Sequence, residues 1–146
     1  MNDVKLTSTL VFRLGTLGAT VSERFSARLA AHGLKPKHVG LLAVLESGVV
    51  ASQLDIAKLM NVAPSLVVSL ADQLEEQGAV RRERDPHDRR RQVLTLTAEG
   101  RELLAVCTEA AVELDAELAD VLTPKEAGML RTALLALARH NGLPAD

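Results

Sequence analysis

Residues 52–97 read SQLDIAKLMNVAPSLVVSLADQLEEQGAVRRERDPHDRRRQVLTLT, and the order of signals in this stretch decides the fold. Ser52-Gln53-Leu54-Asp55 has the spacing of a capping box, with Asp in the place usually held by Glu or Gln. The helix it opens carries Leu54, Ile56, Ala57 and Leu59 and is expected to stop near Asn61. Pro64 suits the first turn of the next helix, 64–77, where a missing N–H is not needed. Leu66, Val67, Leu70 and Leu74 recur along it at helical spacing, and Gly78 closes it. Two short helices joined by a tight turn form a helix-turn-helix. Two β-like runs follow, 79–84 and 92–97, in which Val80, Leu94 and Leu96 can face inward while the arginines face out. Asp85-Pro86-His87-Asp88 between them is dense in turn formers, so the pair reads as a hairpin.

Working outward, Leu6, Leu10, Leu14, Leu17, Val21, Phe25 and Leu29 keep spacings of three and four, which predicts a helix from about Lys5 to Ala31 with Gly33 as terminator. Pro36 opens a second helix running to about Leu45, and Val49-Val50-Ala51 has room for a small edge strand only. Downstream, residues 98–121 predict a helix of about 36 Å at 1.5 Å per residue. Thr123-Pro124-Lys125-Glu126 is a full capping box that opens a last helix through Arg139. Composition agrees with this reading. Phe12 and Phe25 are the only aromatic residues among 146, so the core is aliphatic and an all-β sandwich is not expected. The class is mostly α with a small β-hairpin.

The formal net charge of −2 conceals a strong asymmetry. Residues 81–91 hold six of the 17 basic side chains against Glu83, Asp85 and Asp88, a local excess of +3, which leaves the rest of the chain at −5. A basic element on an acidic body fits a local meeting with an anion. A helix pair followed by a basic hairpin is a winged helix-turn-helix, whose second helix fits the DNA major groove. An arginine at the wing tip can reach the adjacent minor groove, where narrow A·T-rich segments concentrate negative potential. Ser65, Val68, Ser69 and Gln73 are the candidates for reading bases. Arg84, Arg89, Arg90 and Arg91 are the candidates for phosphates or the minor groove, and Arg82 for the backbone from the wing's base. Asp88 is expected to pair with Arg90 and hold its guanidinium at one angle.

Asp72-Gln73-Leu74-Glu75-Glu76-Gln77-Gly78-Ala79-Val80-Arg81-Arg82, followed by Asp85-Pro86-His87-Asp88-Arg89-Arg90, resembles the MarR (multiple antibiotic resistance regulator) family of bacterial transcription regulators. Asp88-x-Arg90, Leu96-Thr97 and Gly100 fall at the positions of the family's wing signature, and the likeness runs from about Leu10 to Leu137. It implies a homodimer built from interleaved terminal helices and bound to a palindromic operator, usually as a repressor released by a small ligand or by oxidation. The division expected is a helical dimerisation region, 1–33 and 98–146, around a winged helix-turn-helix, 34–97, in one intertwined domain. The family's ligand region would here draw on Phe12, Arg13 and Thr16 from the first helix and His38, Val39 and Leu42 from the second. The sequence departs from the family in its reading helix, which has no Lys or Arg and carries Asp72, Glu75 and Glu76.

The residues themselves also point to dimerisation. Leu103, Leu104, Val106, Cys107, Leu114, Leu118 and Val121, with Leu130, Leu134 and Leu137, make an apolar stripe too wide for one thin domain to cover. A two-fold dimer presents its reading helices about one DNA turn apart, roughly 34–36 Å.

Other functions find little support. No nucleophile with its base, carboxylate pair or phosphate loop is recognisable, so the chain is not read as an enzyme and no cofactor is expected. His32, His38, His87 and His140 are scattered, which argues against a metal site. Cys107, the single cysteine, fits a reducing compartment and is read as a packed residue, with Glu109 and Glu113 opposing ionisation. No apolar run approaches the 18 residues of a membrane span, and Met1-Asn2-Asp3-Val4-Lys5 does not begin a secretory signal. The expected location is the cytoplasm, on the nucleoid when DNA-bound. The rival reading is a winged helix used only for protein–protein contact.

Overall fold

The computed structural model describes residues 3–145. Met1, Asn2 and Asp146, the outer ends of the expected dimerisation region and of the segment read against a secretory signal, lie outside them.

The chain runs α1 (Leu10–Leu29), α2 (Pro36–Glu46), α3 (Gln53–Met60), α4 (Pro64–Glu76), β1 (Val80–Arg84), β2 (Gln92–Leu96), α5 (Ala98–Ala119) and α6 (Pro124–His140). Helix α1 begins later than its periodicity predicts because Thr9 takes the N-cap. Its hydroxyl accepts the Phe12 N–H at 3.2 Å, and Leu6–Ser8 is left as a single 3-10 turn. A second 3-10 turn, Ala30–His32, ends at Gly33, whose φ of +66° sends the chain into α2.

The helix-turn-helix forms where the capping signals place it. Ser52 and Asp55 exchange hydrogen bonds, Ser52 N–H to the Asp55 carboxylate at 3.0 Å and Asp55 N–H to the Ser52 hydroxyl at 3.2 Å. Two of the helix's orphan donors are thereby satisfied. Asn61, in the left-handed region, ends α3, and α4 leaves at 112° to it. The hairpin is antiparallel, with Val80 opposite Leu96, Arg82 opposite Leu94 and Arg84 opposite Gln92. Val49–Ala51 does not form the expected strand. The segment is squeezed between Gly48 (φ +79°) and the Ser52 cap, and contributes one bond to the sheet, from Leu94 N–H to the Ala51 carbonyl at 3.3 Å.

The aliphatic core gathers Leu29 from the end of α1, Leu41 and Leu42 from α2, Ile56, Val67 and Leu74 from the helix-turn-helix, Val80 from the hairpin and Cys107 from α5. Two helical faces outside this core are bare. The N-terminal half of α1 exposes Leu10, Val11, Leu14 and Leu17, and α6 has no buried residue along its 17 positions.

Candidate nucleic-acid interface

Helix α4 buries Val67, Leu70, Ala71 and Leu74 and turns Ser65, Val68, Ser69, Asp72 and Gln73 outward. Its amphipathic spacing fixes which side chains face solvent. The wing projects beside it. Asp85, buried under the hairpin, accepts the His87 N–H at 2.8 Å on its carboxylate, and its own N–H meets the Arg91 carbonyl at 2.8 Å. Arg91 N–H bonds the Asp88 carbonyl at 3.0 Å, so the tip is a closed set of Asx-type turns.

The six arginines of this segment divide into two groups. Arg84, Arg89 and Arg90 are exposed at the tip and have no carboxylate partner among the described residues. Three positive charges therefore stand at the outer end of the hairpin, Arg84 at the close of β1 and Arg89 and Arg90 in the turn. The others are engaged. Arg81 lies 3.5 Å from Glu83, a solvent-exposed pair of little energetic weight. Arg91 pairs with Asp55 at the start of α3, and its Nε lies 3.9 Å from Asp85. The Ser52 backbone N–H and hydroxyl hold the Asp55 carboxyl below its ordinary value, with smaller help from Arg91 and Lys58. Arg82 is folded back onto the helix-turn-helix, where it binds Gln53, Asp72 and Glu75.

These placements bear on three expectations. Asp88 does not clamp the Arg90 guanidinium; its carboxylate accepts the Arg90 backbone N–H at 3.0 Å, orienting the turn and leaving the side chain free. Arg82 and Arg91 face carboxylates of the helix-turn-helix, because the wing folds down against α3 and α4 and both acids lie within reach. Gln73, exposed on α4, is also engaged by α2 through its side chain. His38 Nδ1 accepts the Lys35 N–H at 2.9 Å, which leaves the proton on Nε2 to be donated to the Gln73 carbonyl oxygen. No local signal in the sequence announces the His38–Gln73 contact. The Arg82 cluster left one trace, a reading helix with acids at 72 and 75 and no basic residue of its own.

Residues 32–91 match the MarR family profile. A putative transcriptional regulatory protein for the hcr operon of Thauera aromatica is 34% identical over 109 residues, which cover 75% of this chain and 66% of that protein. The transcriptional regulator HosA of Escherichia coli O111:H- is 33% identical over 95 residues, 63% of this chain and 67% of HosA. The chain belongs to the MarR family. The matched stretch thus spans about two-thirds of the length of these relatives. CouR, 28% identical, has the same fold in two solved structures. One holds a 23-mer DNA duplex (TM-score 0.79, covering 94% of this chain and 99% of CouR). The other, from Rhodococcus jostii RHA1, holds p-coumaroyl-CoA (TM-score 0.74, 92% and 94%).

In this MarR-family chain a cavity of about 790 Å³ opens between the end of α1, the start of α2 and α4, with Ser26, Lys35, His38, Ser69 and Gln73 among its walls. Of the residues expected to hold a ligand, His38 alone lines it. Leu42 is fully buried in the core and Val39 packs against that core. Phe12, Arg13 and Thr16 sit on the exposed first half of α1, where the Thr16 hydroxyl donates to the Phe12 carbonyl at 2.8 Å. The chain has the winged helix-turn-helix architecture of the family, α3 and α4 followed by the β1–β2 hairpin, and no single described helix is long and apolar enough to cross a membrane.

Proposed function

We propose that the protein is a transcriptional repressor that binds a palindromic operator as a homodimer and is released by a small ligand. The observation that carries this reading is the trio of unpaired arginines, Arg84, Arg89 and Arg90, on the wing beside the polar outer face of α4. Ser65, Val68 and Ser69 enter the major groove; serine hydroxyls contact base edges or phosphates, and Val68 meets a thymine methyl. Arg90, with Arg84 and Arg89, meets phosphates or the adjacent minor groove. Residues 34–97 are the reading lobe, and the terminal helical segments, 1–33 and 98–146, are the dimerisation region. The CouR–duplex and CouR–p-coumaroyl-CoA structures support the two binding roles by family likeness. The site of action is the cytoplasm, and no catalytic step is required.

The test is selection of genomic fragments by the purified protein, followed by titration of the best duplex at several salt concentrations. One palindromic site is expected, with affinity falling steeply in salt as counterions are released. Arg90→Ala weakens that complex by about 1–3 kcal/mol, the scale of a lost DNA contact. Retention of no fragment at any salt concentration overturns the reading in favour of a protein–protein module.

A further inference from the structure

We infer that Arg82 is a positioning residue for the reading helix, one that offsets part of the negative charge of Asp72 and Glu75 and fixes the angle of α4 to the wing without touching DNA. This inference rests on the DNA-binding reading above and concerns a residue which that reading, taken from sequence, placed against phosphate. All three guanidinium nitrogens are committed. Nε and Nη2 donate to the Gln53 amide oxygen at 3.3 and 3.0 Å, Nη1 donates to Glu75 at 3.0 Å, and Nη2 also reaches Asp72 at 2.6 Å. Nη2 further lies 3.5 Å from the Val68 carbonyl, in the middle of the reading face. The Arg82 backbone N–H donates to the other Glu75 oxygen at 3.1 Å. One side chain on β1 thereby binds α3 once and α4 at three successive positions, and its side chain is only 20% exposed.

Two consequences follow for an approaching duplex. Asp72 and Glu75 stay partly open to solvent, at 60% and 43%, on a helix that has no basic residue. Without Arg82 they would meet the phosphates as uncompensated like charges. With it, Asp72, Glu75 and Arg82 together carry one net negative charge in place of two, and the serines and the backbone N–H groups of the helix's first turn can come closer. The second consequence is geometric. A planar fork that spans Gln53, Asp72 and Glu75 resists rotation of α4 about its own axis, which would carry Val68 and Ser69 off the groove. Lysine offers one ammonium at a single point and cannot span the three.

The experiment has two arms. In the free protein, melting temperatures of Arg82→Gln, Asp72→Asn, Glu75→Gln and their combinations form double-mutant cycles. The expected result is non-additivity, the combined variants being more stable than the sum of single losses. In the second arm the duplex selected by the wild-type protein is titrated in salt. Arg82→Gln loses roughly 10- to 100-fold in affinity, the range of hydrogen bonds to charged groups, and Arg82→Lys does not restore it. The salt slope stays at the wild-type value. Neutralising Asp72 and Glu75 in the Arg82→Gln background recovers a large part of the loss, which a mere folding defect would not allow. Additive melting temperatures overturn the inference even if no duplex is ever found. A salt slope reduced by about one, with no recovery on removing the carboxylates, overturns it by making Arg82 a phosphate contact. Failure of the wild-type protein to bind any duplex is a failure of the proposed function, which the first arm does not depend on.

Discussion

Gly100, in the first turn of α5, lies directly over the Ala79 carbonyl that links α4 to the wing: a Cβ at Gly100 would stand 2.0 Å from that oxygen and 2.7 Å from Leu96 Cδ1. The same carbonyl accepts the Thr97 N–H at 3.1 Å, while the Thr97 hydroxyl donates to Gly78 at 2.6 Å and accepts the Gly100 N–H at 3.0 Å. The Leu96 side chain can shift, but the Ala79 oxygen is backbone and cannot swing aside. Gly100→Ala therefore lowers stability by about 1–3 kcal/mol or more, the scale of overpacking a core. A urea denaturation midpoint unchanged from wild type would show that α5 can lift off the hairpin freely.

The Ser52–Asp55 box supplies a pH dependence with a definite sign. Hydrogen bonds from Ser52 hold the folded Asp55 carboxyl below its ordinary 3.8, so the unfolded chain binds this proton more readily than the folded one. The stabilisation is complete above the unfolded value and disappears as pH falls through the folded one. Melting curves from pH 7 downward are expected to show part of the loss below about pH 4 in the wild-type protein and to lack that part in Asp55→Asn. Asp55→Asn also frees Arg91 from its partner. Parallel acid profiles for the two proteins would remove Asp55 from the account.

What the sequence disclosed and what it withheld follow from separation along the chain. Caps, the αL terminators Gly33 and Gly78 and the hairpin turn are contacts over a few residues, so Ser52, Thr123 and Pro64 announce their helices and the structure begins them there. The contacts that assign the arginines are not local. Arg82 meets Asp72 across 10 residues, His38 meets Gln73 across 35 and Arg91 meets Asp55 across 36. They depend on how the wing folds back over α3 and α4, which spacing does not encode. Charge counting treated the six arginines as one cluster, whereas packing separates three free at the tip from three held by carboxylates.

Cys107 offers a check on the core. The thiol is fully buried, and burial pushes its pKa up, which leaves little thiolate at neutral pH. Alkylation by iodoacetamide at pH 7.5 should be slower by orders of magnitude in the folded protein than in urea, because it must wait for opening of the core. Rapid modification of the native protein, with helix content retained, would place the thiol at the surface and reopen a sensing role.

The bare apolar faces make the strongest demand on a partner. Helix α6 exposes Met129, Leu130, Leu134 and Leu137, and none of its residues is buried, although it has a full capping box at Thr123 and Glu126. Caps contribute about 1 kcal/mol each, and isolated helices near 15 residues are marginal in water, so α6 needs a surface to pack on. Leu10, Leu14 and Leu17 of α1 are a second exposed apolar stripe, and a two-fold dimer is expected to bring the two sets together from different copies. Sedimentation should give a mass near twice the 15.6 kDa of the chain, with a melting temperature that rises with concentration. Leu130→Glu with Leu134→Glu should yield a monomer with reduced helical circular dichroism and weakened operator binding, since two half-sites would no longer be engaged together. A stable monomer of full helicity, obtained from the unaltered chain, would mean that α6 folds back on its own subunit instead.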